Sequence, residues 1–131
     1  MMSEQPLPRV LVVDDVDGSR DLAREVLEHD GIPVAGEADS GEGAIRLAQE
    51  LRPDVVLMDV RMKGIDGIET TRRLKRILPG IRVIIFSVFD DQALMDEAAE
   101  AGADAHVTKG SAGRQLCDRV LAVCGLSPAA A

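Results

Sequence analysis

Short apolar segments rich in β-branched residues recur along the chain and alternate with segments of helical periodicity. The clearest are Val10–Val13, Val55–Met58 and residues 81–86, and two weaker ones are residues 34–35 and Ala105–Thr108. Wholly apolar strands suit a parallel sheet that is covered on both faces, because a strand with one wet face alternates apolar and polar residues. The sequence therefore predicts a sheet of five parallel strands.

A helix is predicted after each strand, from apolar residues spaced three and four positions apart. Leu22 and Ile77 are among the residues placed on the inward faces of these helices. The helices are predicted to begin at capping side chains, namely Ser19, Ser40, Asp66, Asp90 or Asp91, and Ser111. Such alternation with short loops implies right-handed crossovers, and hence a doubly wound α/β fold with helices on both faces of the sheet.

The length of 131 residues fits one domain with one core. We expect the domain to occupy residues 9–125. Residues 1–8 are expected to be an extended or disordered N-terminus, and residues 126–131 a tail or the start of a linker.

The chain is acidic, and its charge excludes whole classes of partner. It has 15 Lys and Arg against 23 Asp and Glu, a formal net charge of −8. That charge repels the phosphates of nucleic acids and the surfaces of anionic membranes. Aromatic residues are confined to Phe86 and Phe89, too few to stack single-stranded bases. We therefore expect neither direct nucleic-acid binding nor a membrane partner.

The two cysteines are expected to be reduced. Cys117 and Cys124 lie on one predicted helix, about 10 Å apart along its axis, which is beyond the reach of a disulfide. Residues 1–8 lack a basic start followed by an apolar run, and no stretch has the length of a membrane span. These features predict a cytoplasmic location.

Polar residues follow four of the predicted strands. Asp14 and Asp15 follow the first strand, Asp59 the third, Ser87 the fourth and Lys109 the fifth. Sites in doubly wound sheets form at the carboxyl ends of the strands. If the first and third strands are neighbours, their carboxylates repel one another by roughly 4 kcal/mol per close pair at an effective dielectric near 20. A bound Mg²⁺ would offset this repulsion, and partial protonation of a carboxylate is the alternative.

The same residues suit phosphoryl chemistry. Mg²⁺, Lys109 and the Ser87 hydroxyl would together hold the oxygens of a phosphoryl group. The strand ends offer no Ser–His or Cys–His pair, so a carboxylate is the natural nucleophile. Asp59 is the predicted acceptor, because it stands alone on its strand while Asp14 and Asp15 can share the metal.

Residues 10–15, 55–59 and 103–109, together with Ser87, resemble the receiver domain of bacterial two-component response regulators over about residues 9–124. The resemblance implies a flavodoxin-like (βα)5 sheet in the order 2-1-3-4-5. It also implies a phosphoacceptor signalling domain, not an enzyme, with at most self-phosphorylation from small donors and self-dephosphorylation. The Lys-Gly-Ser sequence that begins at Lys109 is similar to receivers that precede a helix-turn-helix output domain.

The resemblance implies a role for each acid. Asp59 would accept the phosphoryl group from a sensor histidine kinase or a phosphotransfer protein. Asp14 and Asp15 would hold Mg²⁺ together with Asp59 and the backbone carbonyl of Arg61. The domain would then be part of a transcriptional regulator or a stand-alone receiver, and a homodimer formed on phosphorylation is left open.

The resemblance also assigns the remaining strand-end residues, with three departures from the family pattern. Lys109 would pair with the phosphate, Ser87 would be the switch hydroxyl, and His106 occupies the position of the switch aromatic, usually Tyr or Phe. Lys63 and Gly110 stand where the family commonly has proline.

Two other functions are compatible with parts of the sequence. Residues 15–19 resemble the Asp-x-Asp nucleophile motif of haloacid-dehalogenase-type phosphatases, with Asp15 as nucleophile and with Ser87 and Lys109 at the next two motifs. That family places an acidic pair after the lysine, whereas Asp118 is the only acid beyond Lys109. The second alternative is a degenerate receiver that docks to partners without phosphorylation, in which the strand-end residues are ordinary caps and surface side chains.

Overall fold

The computed structural model describes residues 6–89, 91–111 and 113–126. Within these residues five strands alternate with five α-helices, and a short 3-10 turn, Lys109–Ser111, precedes the last helix. The elements are β1 (Val10–Val13), α1 (Asp17–His29), β2 (Val34–Ala38), α2 (Gly41–Leu51), β3 (Val55–Met58), α3 (Gly67–Ile77), β4 (Arg82–Ser87), α4 (Gln92–Ala101), β5 (Ala105–Thr108) and α5 (Arg114–Val123).

The five strands form one parallel sheet in the order β2-β1-β3-β4-β5. The predicted doubly wound α/β architecture and strand order are thereby confirmed. The order reverses beside β1, so the carboxyl ends of β1 and β3 flank the crevice in which sheets of this kind place their sites.

The strand register brings the ends of the central strands to the same level. Val13 pairs with Met58, and Met58 pairs with Ile85. The amide of Asp59 donates to the Val13 carbonyl at 3.0 Å. As a result Asp14 and Asp59, the residues that follow β1 and β3, leave the sheet side by side.

The domain has two cores and not the single core expected from its length, one on each face of the sheet, because successive strand side chains point to opposite faces. Helices α2, α3 and α4 cover one face, with a core that includes Leu11, Val13, Val56, Met58, Ile85, Ala44, Leu74 and Ala98. Helices α1 and α5 cover the other, with a core that includes Val10, Val12, Leu57, Ile84, Val107, Leu27, Leu116 and Cys117. Two-sided burial explains why the central strands are wholly apolar.

Three of the predicted helix caps are confirmed. The side chains of Ser40, Asp66 and Asp91 accept hydrogen bonds from the backbone amides three residues further on, at the starts of α2, α3 and α4. Each bond satisfies one of the amides that a helix start leaves without a partner. Asp90, the alternative cap for α4, lies outside the described residues.

Two predicted helix starts are wrong. Helix α1 begins at Asp17 with Val16 as its N-cap, so Ser19 lies inside the first turn and not before it. Helix α5 begins at Arg114 after Gly113, because Ser111 is part of the preceding 3-10 turn. In both places the prediction chose a serine near the helix start as the N-cap, but the backbone enters the helix at a different residue.

Other boundaries and faces also differ from expectation. Strand β2 extends beyond the predicted residues to Ala38, through Gly36 and Glu37. An edge strand tolerates small and polar residues such as these because it is less buried than the central strands. Leu22 and Ile77, predicted to face inward, are 50% and 42% exposed. Both lie beside the buried stripe of their helix and not on it.

The ends of the chain are described only in part. Residues 1–5 of the expected N-terminal segment 1–8, and residues 127–131 of the expected tail 126–131, lie outside the described residues. Among the helices that are described, none combines the length and the apolar character needed to cross a bilayer.

Candidate functional site

Three carboxylates meet at the carboxyl ends of β1 and β3. Asp14 is 3% exposed and Asp59 is 9% exposed, whereas Asp15 is more accessible. One carboxylate oxygen from each of the three lies within 4.8 Å of the others. The strand register enforces this proximity, since the two strands are adjacent and end together.

Lys109, at the end of β5, supplies the cation of the cluster. Its Nζ lies 2.5 Å from Asp14 Oδ2 and 3.6 Å from Asp59 Oδ1. The same ammonium group donates to Ser19 Oγ at 3.2 Å. Lys109 therefore rests mainly on Asp14 and Ser19, with Asp59 next to it.

Asp14 is held on every side. Its amide donates to the Ala38 carbonyl at 3.1 Å, and its own carbonyl accepts from Arg20 Nη1 at 2.6 Å. Its carboxylate accepts from the Val16 amide at 2.9 Å through Oδ1 and from Lys109 through Oδ2. The turn that carries Asp14 and Asp15 is therefore tied to strand β2, helix α1 and strand β5.

The pKa of Asp59 is raised to about 6 from an ordinary 3.8, and burial is the largest cause. The negative charge of Asp14 is the second cause of the rise, and that of Asp15 adds a smaller contribution in the same direction. The Lys109 charge and a hydrogen bond from the Val60 amide act in the opposite direction. One lysine thus does not fully compensate three carboxylates, and the cluster keeps an excess of negative charge.

That excess, carried by oxygens alone, fits a hard divalent cation. Mg²⁺ prefers carboxylate and carbonyl oxygens and commonly keeps open positions for water and phosphate. Asp14, Asp15 and Asp59 offer such oxygens within a single small volume. Arg61, whose carbonyl the resemblance adds to this set, follows the end of β3 by three positions and has an exposed side chain.

The loop after β3 is fixed by Gly67. Its amide donates to the Val60 carbonyl at 2.8 Å. A Cβ atom at this position would lie 2.0 Å from the Asp59 carbonyl oxygen, which no side chain permits. The glycine lets α3 begin directly against the backbone of Asp59.

Ser87 and His106 are joined through one residue, Phe89. Ser87 is fully buried at the end of β4, and its Oγ accepts from the Phe89 amide at 3.1 Å. The Phe89 carbonyl lies 3.1 Å from His106 Nε2, so this nitrogen carries the hydrogen. The Arg61 guanidinium stacks on the Phe89 ring, 4.4 Å from its centroid.

The structure thus brings Asp14, Asp15, Asp59 and Lys109 into one cluster and links Ser87, His106 and Arg61 into a second group through Phe89. Sequence reasoning did not assign Ser19 and Arg20 to the site. Their signal is the position of both residues in the first turns of the helix that follows the two acids.

Residues 10–121 match the family described as response regulator receiver domain. The response regulator GacA of Pseudomonas viridiflava is 47% identical over 104 residues, which cover 79% of this chain and 49% of that protein. The chain thus spans about half the length of GacA. The chemotaxis protein CheY of Thermotoga maritima is 37% identical over 101 residues, covering 77% of this chain and 84% of that protein.

A solved structure gives the same result. The signal receiver domain of the putative response regulator NarL from Mycobacterium tuberculosis superposes with a TM-score of 0.88 at 31% identity, covering 92% of this chain and 98% of that one. These similarities favour the receiver interpretation over the dehalogenase-type alternative. With its strand order, its acid cluster and the family match over most of its length, the chain belongs to the receiver domains of two-component response regulators.

Proposed function

We propose that this domain is a phosphorylation-operated switch in which Asp59 accepts a phosphoryl group from a phosphohistidine. The donor would be a sensor histidine kinase or a phosphotransfer protein of the cytoplasm. The observation that carries the proposal is the position of Asp59, a nearly buried carboxylate flanked by Asp14 and by the ammonium group of Lys109.

In the transfer, one Asp59 oxygen attacks phosphorus while the bond between phosphorus and the donor imidazole nitrogen breaks. The imidazole leaves with the bonding electron pair and is then protonated by water. Lys109 Nζ, at 3.6 Å from Asp59, is placed to pair with a phosphoryl oxygen. Asp14, Asp15, Asp59 and the Arg61 carbonyl would hold Mg²⁺, which when bound would supply positive charge to the phosphoryl oxygens.

The Ser87 hydroxyl would transmit the change. It accepts a hydrogen bond from the Phe89 amide, and a hydroxyl that accepts in this way can also donate. A phosphoryl oxygen on Asp59 is a strong acceptor, and turning Ser87 toward it would shift the Phe89 backbone and with it the contact to His106. We propose His106 as the residue that carries this shift to the outer surface.

Intact-mass analysis tests the proposal. With acetyl phosphate and Mg²⁺ the wild-type protein should gain the mass of one phosphoryl group, and Asp59→Ala should gain none. Asp39→Ala is the matched control, because Asp39 directly follows β2 at the same edge of the sheet and is exposed. Phosphorylation of the Asp59→Ala variant would refute the assignment.

The same material separates the alternatives. Turnover of a phosphomonoester that depends on Asp15 and ignores Asp59 would favour the phosphatase. Partner binding that is indifferent to phosphodonor, Mg²⁺ and the loss of Asp59 would favour the docking domain. Size measurement of both forms decides whether phosphorylation produces a homodimer.

A further inference from the structure

Arg20 connects the acidic turn to two other elements. Its Nη1 donates to the Asp14 carbonyl at 2.6 Å, and its Nε donates to Glu37 Oε1 at 3.2 Å. Its Nη2 forms an ion pair with Asp17. The side chain is only 15% exposed although it starts from a surface helix. One guanidinium thus joins the end of β1, the first turn of α1 and strand β2.

Arg20 contacts Asp14 at the point where the backbone hydrogen bonds of the sheet end. The Asp14 amide still pairs with β2 through the Ala38 carbonyl, whereas its own carbonyl turns to Arg20. This carbonyl belongs to the peptide that joins Asp14 to Asp15. Fixing it fixes the direction in which both carboxylates leave the backbone.

The positive charge of Arg20 is paired with acidic residues outside the Asp14–Asp15–Asp59 cluster. Asp17 and Glu37 are its ionic partners, and Glu37 is shared with Arg24. The effect of Arg20 on the acid cluster is therefore geometric: the planar fork reaches three acceptors at once, which a lysine ammonium cannot reproduce in the same positions. Without that hold, repulsion within the cluster favours movement of the turn away from Asp59.

We propose that Arg20 is a positioning residue for the divalent-cation site, acting through the Asp14–Asp15 peptide. The proposal rests on the function proposed above and adds a residue to it. Partners that orient metal ligands commonly change metal affinity by about 10-fold to 100-fold when they are lost. We expect the lower end here, since Val16, Ala38 and Lys109 also hold Asp14.

The test compares Arg20→Lys and Arg20→Gln with Arg24→Gln. Arg24 is the matched control, because it lies one turn further along α1 and pairs with Glu37 and Glu28 but not with the acidic turn. Mn²⁺ is titrated without phosphodonor and followed by the paramagnetic signal of the free ion. The rate of phosphorylation by acetyl phosphate is then measured across a range of Mg²⁺ concentrations.

Both Arg20 variants should bind Mn²⁺ about 10-fold more weakly than wild type, whereas Arg24→Gln should stay within about 2-fold. High Mg²⁺ should restore their phosphorylation rate, since the turn is displaced and the chemistry is intact. A partly unfolded sample would lower the number of sites and the maximal rate without changing the dissociation constant of the folded fraction.

Wild-type Mn²⁺ affinity in both Arg20 variants would overturn the inference, as would an equal loss in Arg24→Gln. A rate deficit that Mg²⁺ does not restore, with unchanged Mn²⁺ affinity, would also overturn it. If the wild-type protein takes up no phosphoryl group on Asp59 at any Mg²⁺ concentration, the proposed function itself fails, which these comparisons distinguish from failure of Arg20 alone.

Discussion

The Asp59 carboxylate lies next to the ion pair that Asp14 forms with Lys109, and most of its surface is removed from water. Its raised pKa means that folding favours the protonated form of this side chain. At neutral pH the group is mostly ionised, so the fold carries a charge that costs stability. A bound cation or a phosphoryl group on Asp59 changes the charge around this side chain and therefore its cost to stability.

The pH dependence of stability follows from that pKa. It is about 6 in the folded protein against an ordinary 3.8, so the destabilising effect is absent below 3.8 and fully present above about 6. Asp59→Asn should therefore be more stable than wild type at pH 7, by on the order of 2 kcal/mol without divalent cation, and the two should converge near pH 4. Urea denaturation at a series of pH values measures the difference.

Mg²⁺ provides the control for this prediction. It should stabilise the wild-type protein at pH 7 and should have a much smaller effect on Asp59→Asn, which has lost one ligand charge. A constant difference between the two proteins from pH 4 to pH 8 would show that Asp59 ionisation is not the cause.

At the scale of elements, the placement of α3 depends on a backbone approach that only glycine allows. The helix begins at Gly67, against the Asp59 carbonyl oxygen, and the Asp66 cap holds its first turn. The beginning of α3 and the backbone of Asp59 are therefore one packed unit.

Gly67→Ala should destabilise the protein by about 2 kcal/mol or more and should slow phosphorylation of Asp59, because the added methyl group displaces the backbone. Gly18→Ala is the control, since Gly18 also lies in the first turn of a helix but has open space around it. That substitution should be neutral or stabilise by about 0.5 kcal/mol. Equal urea midpoints for the two variants would contradict the packing argument.

Much of this arrangement is predictable from the chain alone. The buried strands are recognisable in the sequence as apolar runs. Once β1 and β3 are taken as neighbours, Asp14 and Asp59 are expected to lie side by side at the strand ends. The contacts of Ser19 and Arg20 are different in kind, because they depend on the rotation of α1 over the sheet. The spacing of apolar residues predicts which residues share one face of a helix. It does not predict which strand end that face will contact.

At the scale of the molecule, the sheet separates the two cores, and the site lies at the carboxyl ends of its strands. Arg20 and Glu37 anchor the site on the β2 side, whereas Ser87, Phe89 and His106 lie on the β4–β5 side. The first group is held by ion pairs between α1 and β2 and by the hydrogen bond from Arg20 to the Asp14 carbonyl at the end of β1. In the second group, the side chains of Ser87 and His106 are each linked to the Phe89 backbone by one hydrogen bond. We therefore expect a phosphoryl group to rearrange this side at lower cost.

Hydrogen exchange checks this asymmetry. With acetyl phosphate and Mg²⁺, amide exchange should change by several-fold around Phe89 and in β5, and much less in β2 and the first turns of α1. Asp59→Asn under the same conditions supplies the baseline. Changes of equal size on both sides of the sheet would argue against a directed rearrangement.

Two contacts of Phe89 with described residues belong to its main chain: the amide donates to Ser87, and the carbonyl accepts from His106. Truncating the side chain removes the stacking with Arg61 and spares both main-chain hydrogen bonds. Alanine scanning therefore does not test the two main-chain hydrogen bonds that link Ser87 to His106. Replacing its amide with an ester, which deletes a hydrogen-bond donor and spares the ring, is the substitution to which the loop should respond.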